Sequence, residues 1–117
     1  DETLASIRAQ TLAPAEILVV DDGSPDATAA VAAAAGARVL RQANAGVAAA
    51  TNAGILAAAH DLVALCDADD LWLPQKLSAQ MQAVAASAGA AWHYTGFVRF
   101  YDDGREVAKL DVGGELE

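Results

Sequence analysis

Residues 16–41 read EILVVDDGSPDATAAVAAAAGARVLR, and the fold is decided there. The run EILVVDD, 16–22, is short and apolar and ends in carboxylates, the form of a buried strand. In GSPDATAAVAAAAG, 23–36, Ser24 is placed to cap a helix and Pro25 suits its first position. Asp26 favours the positive helix end and Gly36 suits the exit. ARVLR, 37–41, reads as a second strand. Two strands joined by a helix of this length run parallel, because a parallel pair needs a crossover.

Outward from this unit the alternation continues. ETLASIRAQ, 2–10, places Leu4 and Ile7 on one helical face. AGVAAATNAGILAAA, 45–59, reads as a helix and DLVALC, 61–66, as a strand buried on both faces. PQKLSAQMQAVAASAG, 74–89, opens with proline in a first turn, spaces Leu77, Met81 and Val84 for one face and stops at Gly89. The segment 90–110 alternates around Asp103-Gly104, as a strand and hairpin do. The class is α/β, a mostly parallel sheet flanked by helices. There is no internal repeat and no linker.

The 117 residues make one domain at most. A net charge of −9 excludes a nucleic-acid backbone as partner, which needs clustered Lys and Arg. No apolar run approaches the roughly 20 residues of a membrane span, and no signal peptide is visible. Cys66, the single cysteine, excludes an internal disulfide and reads as a buried reduced thiol, which fits the cytoplasm.

Two acidic strand ends carry the chemistry. Asp21 and Asp22 close one predicted strand; Asp67, Asp69 and Asp70, in CDADDLWLP, close another. In an open α/β sheet this edge is where ligands bind. Taken singly, Asp21, Asp26 or Asp70 is equally a solvated turn or a helix cap. Carboxylates converging on one crevice repel and need a cation, and oxygen-only ligands suit a hard ion, Mg²⁺ or Mn²⁺. Such an ion also reconciles an acidic protein with an anionic ligand. Trp72 and Leu73 either shape a pocket or pack on the core. His60 and His93 show no metal-ligand spacing and receive no role.

SIRAQTLAPAEILVVDDGSPDAT, followed by NAGVAAATNAGI and LCDADDLWLPQKL, resembles the nucleotide-sugar half of family 2 glycosyltransferases, inverting enzymes of GT-A fold. The likeness runs from about residue 2 to about residue 78. It implies a Rossmann-like GT-A domain spanning 1–117 in truncated form, and a UDP-sugar donor. Asp22 would reach the base, with Asp21 and Ser24 as supports. Asn44 and Gly46 would open a donor-binding loop. Asp67 and Asp69 would hold the diphosphate through Mn²⁺ or Mg²⁺, Asp67 alternatively touching ribose. The acceptor would be a saccharide or lipid-linked saccharide of the bacterial cell surface, with the enzyme in the cytoplasm or at the inner face of the membrane, and an oligomer left open. Thr51 stands where many members carry arginine. Gly54 reads more readily as a packing glycine than as a site residue.

The resemblance further implies that an apolar strand precedes residue 2 and lies between the strands 16–21 and 61–66, and that the catalytic base lies after this chain. Asp102, Asp103 and Asp111 are not promoted to that role. The rival is a response-regulator receiver domain, phosphorylated on Asp67 with Thr95 and Lys109 downstream. Against it stand the helix before the acidic pair and the second pair of carboxylates in DADD.

Overall fold

The computed structural model describes residues 2–87, 89–93, 95–96, 98–100 and 106–109. They fall in two compact units, Asp1–Leu77 and Ser78–Glu117. The first contains α1 (Glu2–Arg8), β1 (Leu18–Asp21), α2 (Thr28–Ala34), β2 (Arg38–Arg41) and α3 (Val47–Ala57). The helix α4 (Lys76–Ala86) begins at its end. In the second unit, β3 (Val98–Phe100) and β4 (Glu106–Lys109) form an antiparallel pair with an irregularity between Val98 and Arg99. The expected turn at Asp103-Gly104 lies outside the described residues.

The predicted βαβ unit is present. β1 and β2 are parallel and in register from Leu18 opposite Arg38 to Asp21 opposite Arg41, with α2 as the crossover. α2 ends as its sequence implies. Gly36 takes φ +76°, its N–H donates to the Ala33 carbonyl, and the Ala37 N–H reaches back to Ala32. These are the two bonds of a Schellman motif, which glycine makes without strain.

The start of α2 differs from expectation. The helix begins at Thr28, and Ser24 does not cap it. The Ser24 amide donates to Asp21 Oδ1 at 2.9 Å. The buried carboxylate of Asp21 needs donors, and that demand outweighs the capping preference of a serine three residues on. Asp26 serves the helix start instead, its Oδ1 accepting from the Thr28 amide at 3.0 Å and hydroxyl at 2.6 Å. α4 likewise starts two residues after Pro74, with a first-turn bond from the Lys76 amide to the Leu73 carbonyl, and ends at Ala86 rather than at Gly89.

The stretch 61–66 is a correction. It forms no strand, and Leu62, Val63 and Leu65 are 60%, 44% and 55% exposed. An apolar run becomes a strand only where a neighbour takes its backbone hydrogen bonds and its faces are covered. Among the described residues β1 pairs with β2 alone and no strand pairs with 61–66, so this run has no ladder to take its backbone hydrogen bonds.

Burial is concentrated on α1 and around the end of α2. Leu4 and Ile7 of α1 are buried, with Ala32 and Ala37, and so are the polar Thr3, Gln10 and Asp21. α3 packs on β1, where a methyl at Gly54 would come within 3.1 Å of Val20 Cγ2. Gly54 is thus a close-packing position. Among the described residues no helix is long and apolar enough to cross a membrane.

Candidate functional site

Asp21 and Asp22 leave the end of β1 in opposite environments. Strand alternation sends consecutive side chains to opposite faces, and Asp21 is 2% exposed while Asp22 is half-buried. Asp21 accepts from Ser24 and pairs with Arg41, Nε to Oδ2 2.9 Å. Hydrogen bonds from the Ser24 hydroxyl and amide, then the Arg41 charge, hold its carboxyl below the ordinary range. It is a structural anchor for the turn, not a group open to a ligand.

Asp22 faces the loop after β2. Its Oδ1 accepts from Gln42 Nε2 at 2.7 Å and from the Ala45 amide at 2.9 Å, and its Oδ2 from the Gly46 amide at 2.9 Å. Gln42, then the Ala45 and Gly46 N–H groups, depress its pKa against burial and the like charge of Asp21. The carboxylate is therefore ionised at neutral pH. Gly46, at φ +90°, is also the N-cap of α3, so one carboxylate ties the strand end to the start of that helix. The fit is close. Gly23 has φ +80°, and a Cβ there would stand 2.9 Å from the Asn44 backbone nitrogen. Asp22 is brought to the Asn44–Gly46 loop from more than 20 residues away; Asn44 is exposed.

Gln42 is a site neighbour that the motifs do not point to, although the signal exists. Parallel register sets Asp21 opposite Arg41, and the Gln42 amide continues the ladder to the Asp21 carbonyl at 3.0 Å. One step further, Gln42 lies beside Asp22.

The second acidic group is held by α1. Thr3 Oγ1 donates to the Ala68 carbonyl at 2.8 Å, and Ser6 Oγ accepts from the Trp72 amide at 3.1 Å. Gln10 Nε2 donates to the Leu73 carbonyl at 2.8 Å while its Oε1 accepts from the Leu77 amide at 3.0 Å. Thr3 and Ser6 share one face of α1 at spacing three, and Gln10 follows just after the helix ends at Arg8. Asp67, Asp69 and Asp70 are all exposed on the turn so fixed. Lys76 Nζ lies over the Trp72 ring, 4.2 Å from its centroid, and burial lowers its pKa. Cys66 is half-buried, not fully buried. Burial, then Asp70, pushes its thiol up to about 11, so it is a neutral thiol and no nucleophile.

Among the described residues no group of three or more His, Cys, Asp or Glu is placed to hold a metal ion. Asp67 and Asp69 supply two exposed carboxylates and no soft donor. That set fits a hard cation completed by water and ligand phosphates, and does not fit a closed all-protein cage.

Residues 1–110 match the family described as Glycosyl transferase family 2. The chain is 39% identical over 90 residues to the uncharacterized protein Mb1547 of Mycobacterium bovis and to the uncharacterized protein Rv1520 of Mycobacterium tuberculosis. Each match covers 69% of this chain and 26% of the relative, so the chain spans about a quarter of the length of these proteins. With a family match over nearly its whole length, an α/β fold and a parallel βαβ unit, the chain belongs to glycosyl transferase family 2.

Proposed function

We propose that this chain binds a UDP-sugar and presents it for transfer to an acceptor hydroxyl, a saccharide or lipid-linked saccharide, with inversion at the anomeric carbon. One observation carries the reading. Asp22 stands ionised at the carboxyl edge of β1 with three of its roughly four acceptor positions filled by this chain, which leaves a directed place on Oδ2 for a base N–H. Asn44 and Gly46 border that place. Asp21 and Ser24 hold the turn behind it.

Asp69, with Asp67, would hold Mg²⁺ or Mn²⁺ against the donor diphosphate; bound there, the ion would stabilise negative charge on the departing nucleoside diphosphate. The residues of this chain orient the base and fix the acidic turn. The group that takes the acceptor proton is expected outside these residues, as the resemblance to the family implies. A lone cysteine with no disulfide partner suits a reducing compartment, and we place the enzyme in the cytoplasm or at the inner face of the membrane. The receiver alternative gains no support from the family match.

Calorimetric titration of UDP with MnCl₂ and with EDTA tests the reading. Binding is expected to need the metal. Equal affinity in both would remove the metal from the site, and a small phosphodonor that phosphorylates Asp67 would restore the receiver reading.

A further inference from the structure

Asp22 holds more hydrogen bonds from its own chain than a residue reserved for a ligand needs, and they are unevenly spread. Oδ1 carries two, from Gln42 Nε2 and the Ala45 amide; Oδ2 carries one, from Gly46. A carboxylate oxygen offers two lone-pair directions. Oδ1 is therefore full and Oδ2 is half open. The shortest of the three bonds, 2.7 Å, comes from a side chain, and the two longer ones come from the backbone and survive any side-chain change at 42.

We propose that Gln42 is a positioning residue that sets base specificity: by closing Oδ1 and pinning the carboxylate plane, it leaves Asp22 a single acceptor direction and so selects a base edge that offers one N–H there. The inference rests on the reading of Asp22 as the base-contacting group. Uracil presents such an N–H at N3. Cytosine presents a bare lone pair at N3, which the carboxylate repels, and its only edge donor is the neighbouring amino group. To meet that amino group the carboxylate must turn or use Oδ1, and with Gln42 in place it can do neither. Freed of Gln42, Oδ1 regains an open direction and the plane can rotate, so cytosine becomes acceptable. Gln42 acts here through Asp22 and needs no contact with the nucleotide.

The ladder makes this placement firm. The Gln42 amide is bonded to the Asp21 carbonyl at 3.0 Å, so the residue is still part of the β1–β2 ladder when its side chain reaches Asp22. A carboxylate accepts only, hence the amide nitrogen and not the oxygen of Gln42 faces it.

The test is the ratio of UDP to CDP affinity by calorimetry with MnCl₂, for the full chain and for Gln42→Met and Gln42→Glu. Both variants keep the length of the side chain and lose its donor; circular dichroism identifies a folded one, and either suffices. A purely structural role weakens both nucleotides alike. The positioning role lowers the UDP-to-CDP ratio by about tenfold, the scale of one hydrogen bond to a charged group. If the wild-type chain binds UDP and CDP equally, or binds neither, the reading of Asp22 falls and this inference with it. If the wild-type chain prefers UDP and a folded variant keeps the same ratio, this inference alone falls.

Discussion

Asp21 and Arg41 are opposite one another in the parallel ladder and form an ion pair across it, Nε to Oδ2 2.9 Å, with the aspartate side chain fully covered and that of the arginine 62% exposed. The acid end of β1 is thus neutralised from the neighbouring strand, and the next residue, Asp22, is left as the charge that faces the loop.

Stability in acid should depend on this pair. The folded pKa of Asp21 lies below its ordinary value, chiefly through Ser24 and then through Arg41. Its contribution is therefore complete above the ordinary carboxylate range and is lost as pH falls through the folded value. Arg41→Leu brings the folded value back up, so acid unfolding followed by far-UV circular dichroism should move to higher pH. Ser24→Ala should move it in the same direction. An unchanged midpoint in both would show that the pair does not couple to folding.

Gly23→Ala should be costly despite its small size. The residue has φ +80°, and the added methyl meets the Asn44 backbone 2.9 Å away. Strain of this kind costs about 1–3 kcal/mol, and each kcal/mol lowers the melting temperature of a small domain by about 4–8 °C. UDP affinity should fall with it, because the displaced loop carries the Ala45 and Gly46 donors to Asp22. A variant with wild-type melting and wild-type affinity would contradict the close approach.

Gln10→Leu should loosen the acidic turn from a distance. The amide is buried, and it holds the Leu73 carbonyl and the Leu77 N–H. Each backbone group left unpaired in a covered site costs about 1–3 kcal/mol. Chemical denaturation reads the loss. Metal-dependent UDP binding should weaken although residue 10 touches no ligand, and if that binding is untouched in a folded variant, the Gln10 amide does not position the turn.

Asp69→Ala and Asp70→Ala separate two neighbouring carboxylates. The first should abolish the gain in UDP affinity that Mn²⁺ gives, and the second should largely retain it. The reverse result would transfer the metal-binding role to Asp70.

The βαβ unit is readable in the sequence because its signals are local. A strand-length apolar run, a glycine at the αL exit and a crossover of the right length each act within a few residues, and Gly36 behaves as its position implies. What escapes such reading is non-local. Gln42 gains its role from the register between two strands, and Thr3, Ser6 and Gln10 gain theirs from a turn more than 60 residues away. The stretch 61–66 shows the opposite error: its composition is that of a strand, but a ladder is a property of two segments and composition describes one. Ser24 departs from its expected capping role because a helix N-terminus and a buried carboxylate compete for the same short side chain and amide.

The grip of α1 on the acidic turn also has a kinetic side. The bonds from Thr3, Ser6 and Gln10 close loops of 63 to 67 residues, whereas the β1–β2 register joins residues only 20 apart. Closing the longer loop costs more chain entropy, and contacts of high sequence separation form slowly. The half of the site built around Asp22 can therefore assemble early, from a compact neighbourhood of the chain. The half that carries Asp67 and Asp69 is seated later, when the first helix and the tenth residue's amide find a segment made long after them. A chain caught between these stages has an ordered loop at Asp22 and an acidic turn without fixed geometry, and exchange of backbone amide hydrogens would see the two halves protect at different times.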